Sequence, residues 1–360
     1  MLALFLLAAA IQFAAWIFVF PRAFGAVHKS PEYPAPPPVS VIVCFHNEAP
    51  TLEACLRSIL TQRPAPAEVI AVDDHSTDAS AAIVRRLQQE FSALRTVDPG
   101  PTRPGKKDAL TAGIAAATHP YLLLTDADCV PATSAWLHRM TAPFTSNAEV
   151  VLGCSPYRRR PGLLNAWQRF ETTYVALQYQ GFAAHGLPYM GVGRNLAYQK
   201  SFFQRAGGLR AHTNLPGGDD DLLVGHHATA PGTARVTDPA AWTYSAPATQ
   251  WSEYIRQKVR HQSTGPRYRP LHRSILLVLA ASHGLFFLLG LGLLFTPFWG
   301  GALLIYAVRA ALILRVYLRA PVSDFLGGDA GAASVLLGDA LLAPFSLFLA
   351  VATTLPPGRW

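Results

Sequence analysis

A chain of 360 residues in which 51% are apolar and 14% are charged is too apolar for an average soluble enzyme, whose charged share is about 25%, so part of it belongs in lipid. The net charge of +8 does not point to nucleic acid: Arg22, Lys29, Arg267, Arg269, Arg273, Arg309, Arg315 and Arg319 gather in or at the ends of apolar runs, where membrane topology and anionic lipid account for them. The cysteines, Cys44, Cys55, Cys129 and Cys154, form no C-x-x-C pair. They read as reduced cytosolic thiols rather than a disulfide frame or a zinc site.

The first apolar run, residues 2–20, has no basic residue before it and no small-x-small cleavage site after it. It is expected to be a retained anchor over residues 1–21, with Arg22 and Lys29 placing the adjoining domain in the cytoplasm. Residues 22–38 form a linker whose proline-rich part (31–38) is stiff and extended. A single domain is expected over 39–265. In it, strand-like runs (39–44, 68–72, 121–125) alternate with helical ones (51–62, 77–90, 106–118), the pattern of βαβ units in a mostly parallel sheet flanked by helices. Further strands are expected at 150–154 and 192–198, an aromatic amphipathic stretch at 163–180 and a short helix at 201–206. Residues 266–360 turn apolar again, with three candidate spans at 274–295, 298–318 and 332–355.

In parallel sheets ligands bind beyond the carboxyl ends of the strands, and three strand ends finish in polar clusters: Phe45-His46-Asn47-Glu48, Asp73-Asp74-His75-Ser76 and Asp126-Ala127-Asp128. Ser76 to Asp78 read as the cap of the next helix, whereas Asp73 and Asp74 read as ligand contacts. Asp126 and Asp128 are two residues apart at the end of an extended run and are expected to face one spot. Two carboxylates so placed call for a cation, and oxygen-only ligands suit Mg²⁺ or Mn²⁺ bridging to a diphosphate. His46, His75 and His261 lack a paired histidine at ligand spacing and read as polar loop or core residues. The aromatics Trp167, Phe170, Tyr174, Tyr179 and Phe182 suit either a sugar or lipid site or a helix lying at a membrane interface.

The stretches VSVIVCFHNEAPTLEACLRSIL, EVIAVDDHSTDAS, GKKDAL, LLLTDADC, MGVGRNLAYQKSFF, GGDDDLL and QKVRH, taken in order over residues 38–265, resemble a membrane-bound family 2 glycosyltransferase of the GT-A fold, related to processive synthases and ceramide glucosyltransferase-like enzymes. The resemblance implies that Asn47, Glu48, Asp73 and Asp74 contact the nucleoside, that Lys106 approaches the diphosphate or base, and that Asp126 and Asp128 form the diphosphate and metal site. It implies Asp220, within Gly218-Asp219-Asp220, as the catalytic base, with Asp219 and Asp221 raising its pKa. Gln257 and Arg260 match the family's Q-x-x-R-W element, in which His261 replaces the tryptophan; Arg260 stays available to the diphosphate or acceptor.

The expected activity is inverting transfer of a hexose or N-acetylhexosamine from a nucleotide-sugar, UDP-linked in the first instance, to a hydroxyl of a lipid or lipid-linked glycan at the inner membrane. The alternatives are a processive polysaccharide synthase and a non-catalytic nucleotide-sugar-binding subunit. Arg309 and Asp339 fall inside candidate spans, where a charge is costly and is usually paired. With α-helical rise they reach similar depths, so an ion pair between the last two helices is expected.

Overall fold

The structure, a computed structural model, describes residues 1–25, 37–103, 105–215 and 217–353. Most of the expected proline-rich linker (26–36) lies outside them. The chain opens with α1 (Leu2–Ala14), prolonged by a π-helical turn (Ala15–Val19) and a 3₁₀ turn (Phe20–Arg22). There follow β1 (Val39–Phe45), α2 (Ala49–Leu60), β2 (Glu68–Asp73), α3 (Ser80–Glu90), β3 (Leu94–Val97), α4 (Lys107–Ala116), β4 (Tyr121–Asp126), β5 (Cys129–Pro131), α5 (Trp136–Thr141), β6 (Val150–Leu152) and α6 (Leu163–Ala184). The second half holds β7 (Leu196–Gln199), α7 (Lys200–Arg205), α8 (Asp221–His227), β8 (Thr233–Arg235), β9 (Thr243–Ser245), α9 (Trp251–Gln262), α10 (Pro270–Leu293), α11 (Trp299–Tyr317), α12 (Val322–Leu326) and α13 (Ala332–Ala352).

These elements form two compact units. One of them, residues 26–158 and 188–247, is α/β. Its seven strands run in the order β3-β2-β1-β4-β7-β6-β8. β3, β2, β1 and β4 are parallel, and β7 is antiparallel to both β4 and β6. Strands covered on both faces need unbroken apolar runs, and Val41, Ile42, Val43 and Val69 to Val72 are buried accordingly. Sequence order reverses between β1 and β4, so the crevice beyond their carboxyl ends is the place for a ligand in such a sheet. The register sets Phe45 beside Asp73 and Cys44 beside Asp126, which brings both acidic strand ends to that edge. β3 was not expected: Leu94-Arg-Thr-Val is short, and two of its residues are only partly buried. The expected strand at 192–198 opens instead with a 3₁₀ turn, Gly193–Asn195, before β7.

The second unit gathers residues 1–25, 159–187 and 248–360. Helices α6 and α9, expected within the 39–265 domain, therefore fall with the apolar ends of the chain. Among the described residues four helices are long and apolar enough to cross a membrane: Leu2–Arg22, α10, α11 and α13. The aromatic face of α6 packs within this unit. Phe170 stacks on Tyr317 with ring centres 5.3 Å apart, Trp167 meets Phe345 edge-on at 4.9 Å, and Tyr174 meets Phe20 at 5.9 Å. These three rings fill helix–helix contacts within the unit. Lys258 on α9 donates to Glu171 on α6, both buried.

The expected pair inside the spans is present, in a larger setting. Arg309 donates to both oxygens of Asp339, at 2.5 and 3.1 Å, and both residues are 2% exposed. Its Nη2 also reaches Gln12 Oε1 of α1 at 2.9 Å and His283 Nδ1 of α10 at 3.1 Å. Since Nδ1 accepts there, the ring proton sits on Nε2, which faces the Asp339 carbonyl at 2.9 Å. All four candidate spans thus meet at one guanidinium.

Candidate active site

Within the α/β unit a pocket opens beyond β1 and β4, lined by Lys106, Asp126, Gly193, Asp219 and Asp220 over an apolar floor that includes Ile42, Leu124 and Leu196. Lys106, at the N-terminus of α4, places its ammonium 3.0 Å from Asp126 Oδ1 and 3.0 Å from Asp219 Oδ2. Burial works against its charge, but Asp126, Asp219 and Asp220 outweigh burial and hold its pKa well above the ordinary value. The neighbouring acids are driven apart. Burial would raise Asp219, yet Lys106 brings it below the usual range. Burial, then the charges of Asp219 and Asp221, pushes Asp220 up to about 7. Two adjacent carboxylates driven apart, Asp219 toward its charged form and Asp220 up to about 7, suit divided acid–base labour.

Asp220 is held at both oxygens. The Gly193 N–H donates to Oδ2 at 2.6 Å, and the Asp221 N–H donates to Oδ1 at 2.8 Å, so Asp220 also caps α8. A side chain at position 193 would crowd both charges. An added carbon would stand 3.1 Å from Lys106 Nζ and 3.3 Å from Asp220 Oδ2. The sequence assigns Gly193 no role and Asp219 only that of a neighbour; the signal for Gly193 was its place just before β7.

Asp126 and Asp128 are neighbours, but not by strand alternation as expected. β4 ends at Asp126, and a turn carries the chain through Asp128 into β5. Asp128 accepts from Ser245 Oγ at 3.1 Å and from Cys129 Sγ at 3.3 Å. Burial and then the charge of Asp126 raise its pKa, against the pull of Arg194, whose guanidinium lies 4.7 Å from the Tyr157 ring centre. Burial, with Asp128 and Asp126 adding to it, also raises Glu48 against the Thr51 hydrogen bond.

The other expected residues lie along the same sheet edge, outside the lining just described, and have partners in the fold. Asn47, at a positive φ of 56°, accepts from the Thr77 N–H at 2.7 Å. Asp73 accepts from the Ser76 N–H at 2.8 Å, and Asp74 from Thr102 Oγ1 at 2.6 Å. The expected helix at 77–90 starts later, at Ser80, because Asp78 spends its carboxylate on the N–H groups of Ser80 and Ala49 and so ties the starts of α3 and α2 together. His46 and His75 bond to loop carbonyls, as expected of polar loop histidines. Gln257 and the exposed Arg260 lie on α9, in the other unit. None of the four cysteines is in a disulfide. Among the described residues no three His, Cys, Asp or Glu side chains are grouped to hold a metal by themselves.

The mostly parallel sheet places an acid-lined pocket at its switch point, where ligands bind in such folds. Residues 40–207 match glycosyl transferase family 2, and the match ends before Asp219 and Asp220. The uncharacterised glycosyltransferase EpsJ of Bacillus subtilis is 30% identical over 34% of this chain and 35% of its own length. An uncharacterised glycosyltransferase of Mycobacterium tuberculosis is 33% identical over 42% of this chain and 62% of its own. The poly-β-1,6-N-acetyl-D-glucosamine synthase of Staphylococcus epidermidis is 29% identical over 37% of this chain and 32% of its own. Each match thus spans less than two thirds of the relative. In fold, the chain is similar over 98% of its length to a mannosyltransferase of Pyrobaculum calidifontis solved with GDP-mannose and Mn²⁺, of which 94% is covered, with 23% identity and a TM-score of 0.56. The scaffold is GT-A.

Proposed function

We propose that this protein is an inverting, metal-dependent glycosyltransferase that moves a hexose or N-acetylhexosamine from a nucleotide-sugar to a hydroxyl of a lipid or lipid-linked glycan. The observation that carries the reading is the pair Asp219–Asp220 beside Lys106, with Asp220 oriented by two backbone N–H groups and poised near pH 7. Asp220 takes the proton of the acceptor hydroxyl while its oxygen bonds to the anomeric carbon; the bond from that carbon to the diphosphate breaks, and the nucleotide diphosphate leaves with the electron pair. Lys106 supplies a fixed positive charge for the departing diphosphate, exchanging Asp126 for it.

Asp126 and Asp128 fit a divalent cation. Both offer oxygen only; burial, and then the charge of Asp126, raises Asp128, and a cation beside the pair would relieve their repulsion. Mg²⁺ or Mn²⁺ is held in this way, by one or two carboxylates together with substrate phosphates. When bound, such an ion neutralises charge on the diphosphate. Asn47, Glu48, Asp73 and Asp74 stand on the nucleoside side of the edge, and Gln257 and Arg260 serve the diphosphate or acceptor.

The charge pattern supports an inner-membrane protein with its α/β unit in the cytoplasm. Arg22, Arg267, Arg269, Arg273, Arg315 and Arg319 flank one end of the spans, whereas the turn 294–298 at the other end has no charge. Release of nucleotide diphosphate from UDP-, GDP- and dTDP-sugars by membranes containing the protein, with and without EDTA, tests the assignment; release unaffected by EDTA and by Asp220→Asn refutes it. The match to a polysaccharide synthase favours processive transfer as a second reading, and thin-layer analysis showing a product ladder instead of a single lipid-linked product would select it.

A further inference from the structure

Cations belong at helix C-termini, where the dipole favours them, yet α4 begins with two lysines, Lys106 as its N-cap and Lys107 as its first residue. Lys106 is explained by Asp126 and Asp219. Lys107 is not a site residue, but its side chain is just 7% exposed, and its ammonium donates to three backbone carbonyls: His212 at 2.6 Å, Leu215 at 2.5 Å and Gly217 at 2.5 Å. An ammonium has three donors and no acceptor, so this cage uses it completely. The caged segment is the connection from α7 to α8, which ends in Gly218-Asp219-Asp220 and is bracketed by glycines at positive φ: Gly207 at 75°, Gly208 at 67° and Gly218 at 98°. Such backbone is permissive, and among the described residues from Leu209 to Leu215 it contributes no strand and one short 3₁₀ turn, Arg210–His212.

We propose that Lys107 is a positioning residue: its ammonium clasps the 209–217 loop from within, and this clasp, with the neighbouring Lys106–Asp219 contact, sets where Asp220 stands. The inference rests on the reading of Asp220 as the base. A guanidinium has the charge but a planar fork in place of a point donor, so charge alone does not meet the requirement.

The test uses the full-length protein in detergent with the donor selected by the nucleotide-release screen. In Lys107→Met, amide hydrogen exchange over 209–217 accelerates while exchange in β1 and β4 is unchanged, and kcat falls by about 10²-fold, the scale of a misplacement of about 1 Å, with donor KM little altered. Lys107→Arg does not restore kcat. Lys107→Ala, which leaves the cage open, regains activity with added propylammonium, whereas Lys107→Met does not. Wild-type exchange in the loop of Lys107→Met overturns the clasp, and accelerated exchange with unchanged kcat overturns its positioning role. Should Asp220→Asn keep its turnover, the base assignment falls alone, and the exchange data still decide the clasp.

Discussion

At the scale of single residues, Asp220 carries the sharpest expectations. Its folded pKa of about 7 stands above the ordinary 3.8. Between those values the folded protein holds a proton that the unfolded chain has lost, so this group's contribution to stability falls as pH rises through that window. Turnover needs the carboxylate and so rises across pH 7. Asp220→Asn lowers kcat by about 10²–10⁴-fold, the usual worth of a general base, and leaves donor binding largely intact. The variant also loses less thermal stability than the wild type between pH 5 and pH 8, which calorimetry at the two pH values checks. Asp128→Ala acts on the donor instead. Titration calorimetry of UDP in the presence of Mn²⁺ shows binding weakened at least about tenfold, or about 1.4 kcal/mol; unchanged affinity removes the metal site from this position. Asp73 and Asp126 stand out in the sequence because they end strands, and Asp220 because it opens a helix. How Asp126 and Asp128 come together was not, since a turn rather than strand alternation does it and turn geometry leaves no spacing rule in an isolated D-A-D. Gly193 was equally hidden: its importance is the absence of a side chain between two charges that lie far apart in sequence.

At the scale of elements, apolar periodicity placed the major helices and central strands to within a few residues, because strands buried on both faces and spans in lipid leave little freedom of composition. It misplaced α6 and α9. Their polar and aromatic residues look like those of any amphipathic helix, and the identity of the partner surface is written in residues such as Phe20, Tyr317 and Phe345 that are remote in sequence. The Arg309–Asp339 pair was legible since two unlike charges at matching depth in hydrocarbon have few other ways to be satisfied. Removing one partner strands the other: Arg309→Met or Asp339→Leu alone costs about 3–5 kcal/mol, and the double variant costs less than either. Thermal aggregation of the detergent-solubilised variants ranks them, and a double variant worse than both singles excludes a direct pair.

At the scale of the whole molecule, three separate stretches of sequence make one unit, and linear reading assigns the middle stretch to its neighbours in the chain. The arginine pattern gives an orientation that can be measured. Thr296→Cys is labelled by a membrane-impermeant maleimide added to intact cells, whereas Ser263→Cys is labelled only after permeabilisation; the reverse pattern turns the topology over.

The four-way junction at Arg309 also has a chronology. Gln12 and Arg309 are separated by 297 positions in the chain, which at about 5–20 residues per second is about 15–60 s of synthesis. The amide N–H of Gln12 meets the Leu279 carbonyl and the Ser282 hydroxyl, 267 and 270 positions on, but its Oε1 waits for Arg309 through the whole interval. Arg309 then arrives where Gln12 and His283 already wait, and Asp339 follows 30 positions later. The newborn protein therefore passes through a half-assembled stage that membrane proteases and insertion chaperones can recognise, and substitutions at Gln12 would show their effect first in yield and turnover of the nascent protein, before any change in the finished enzyme.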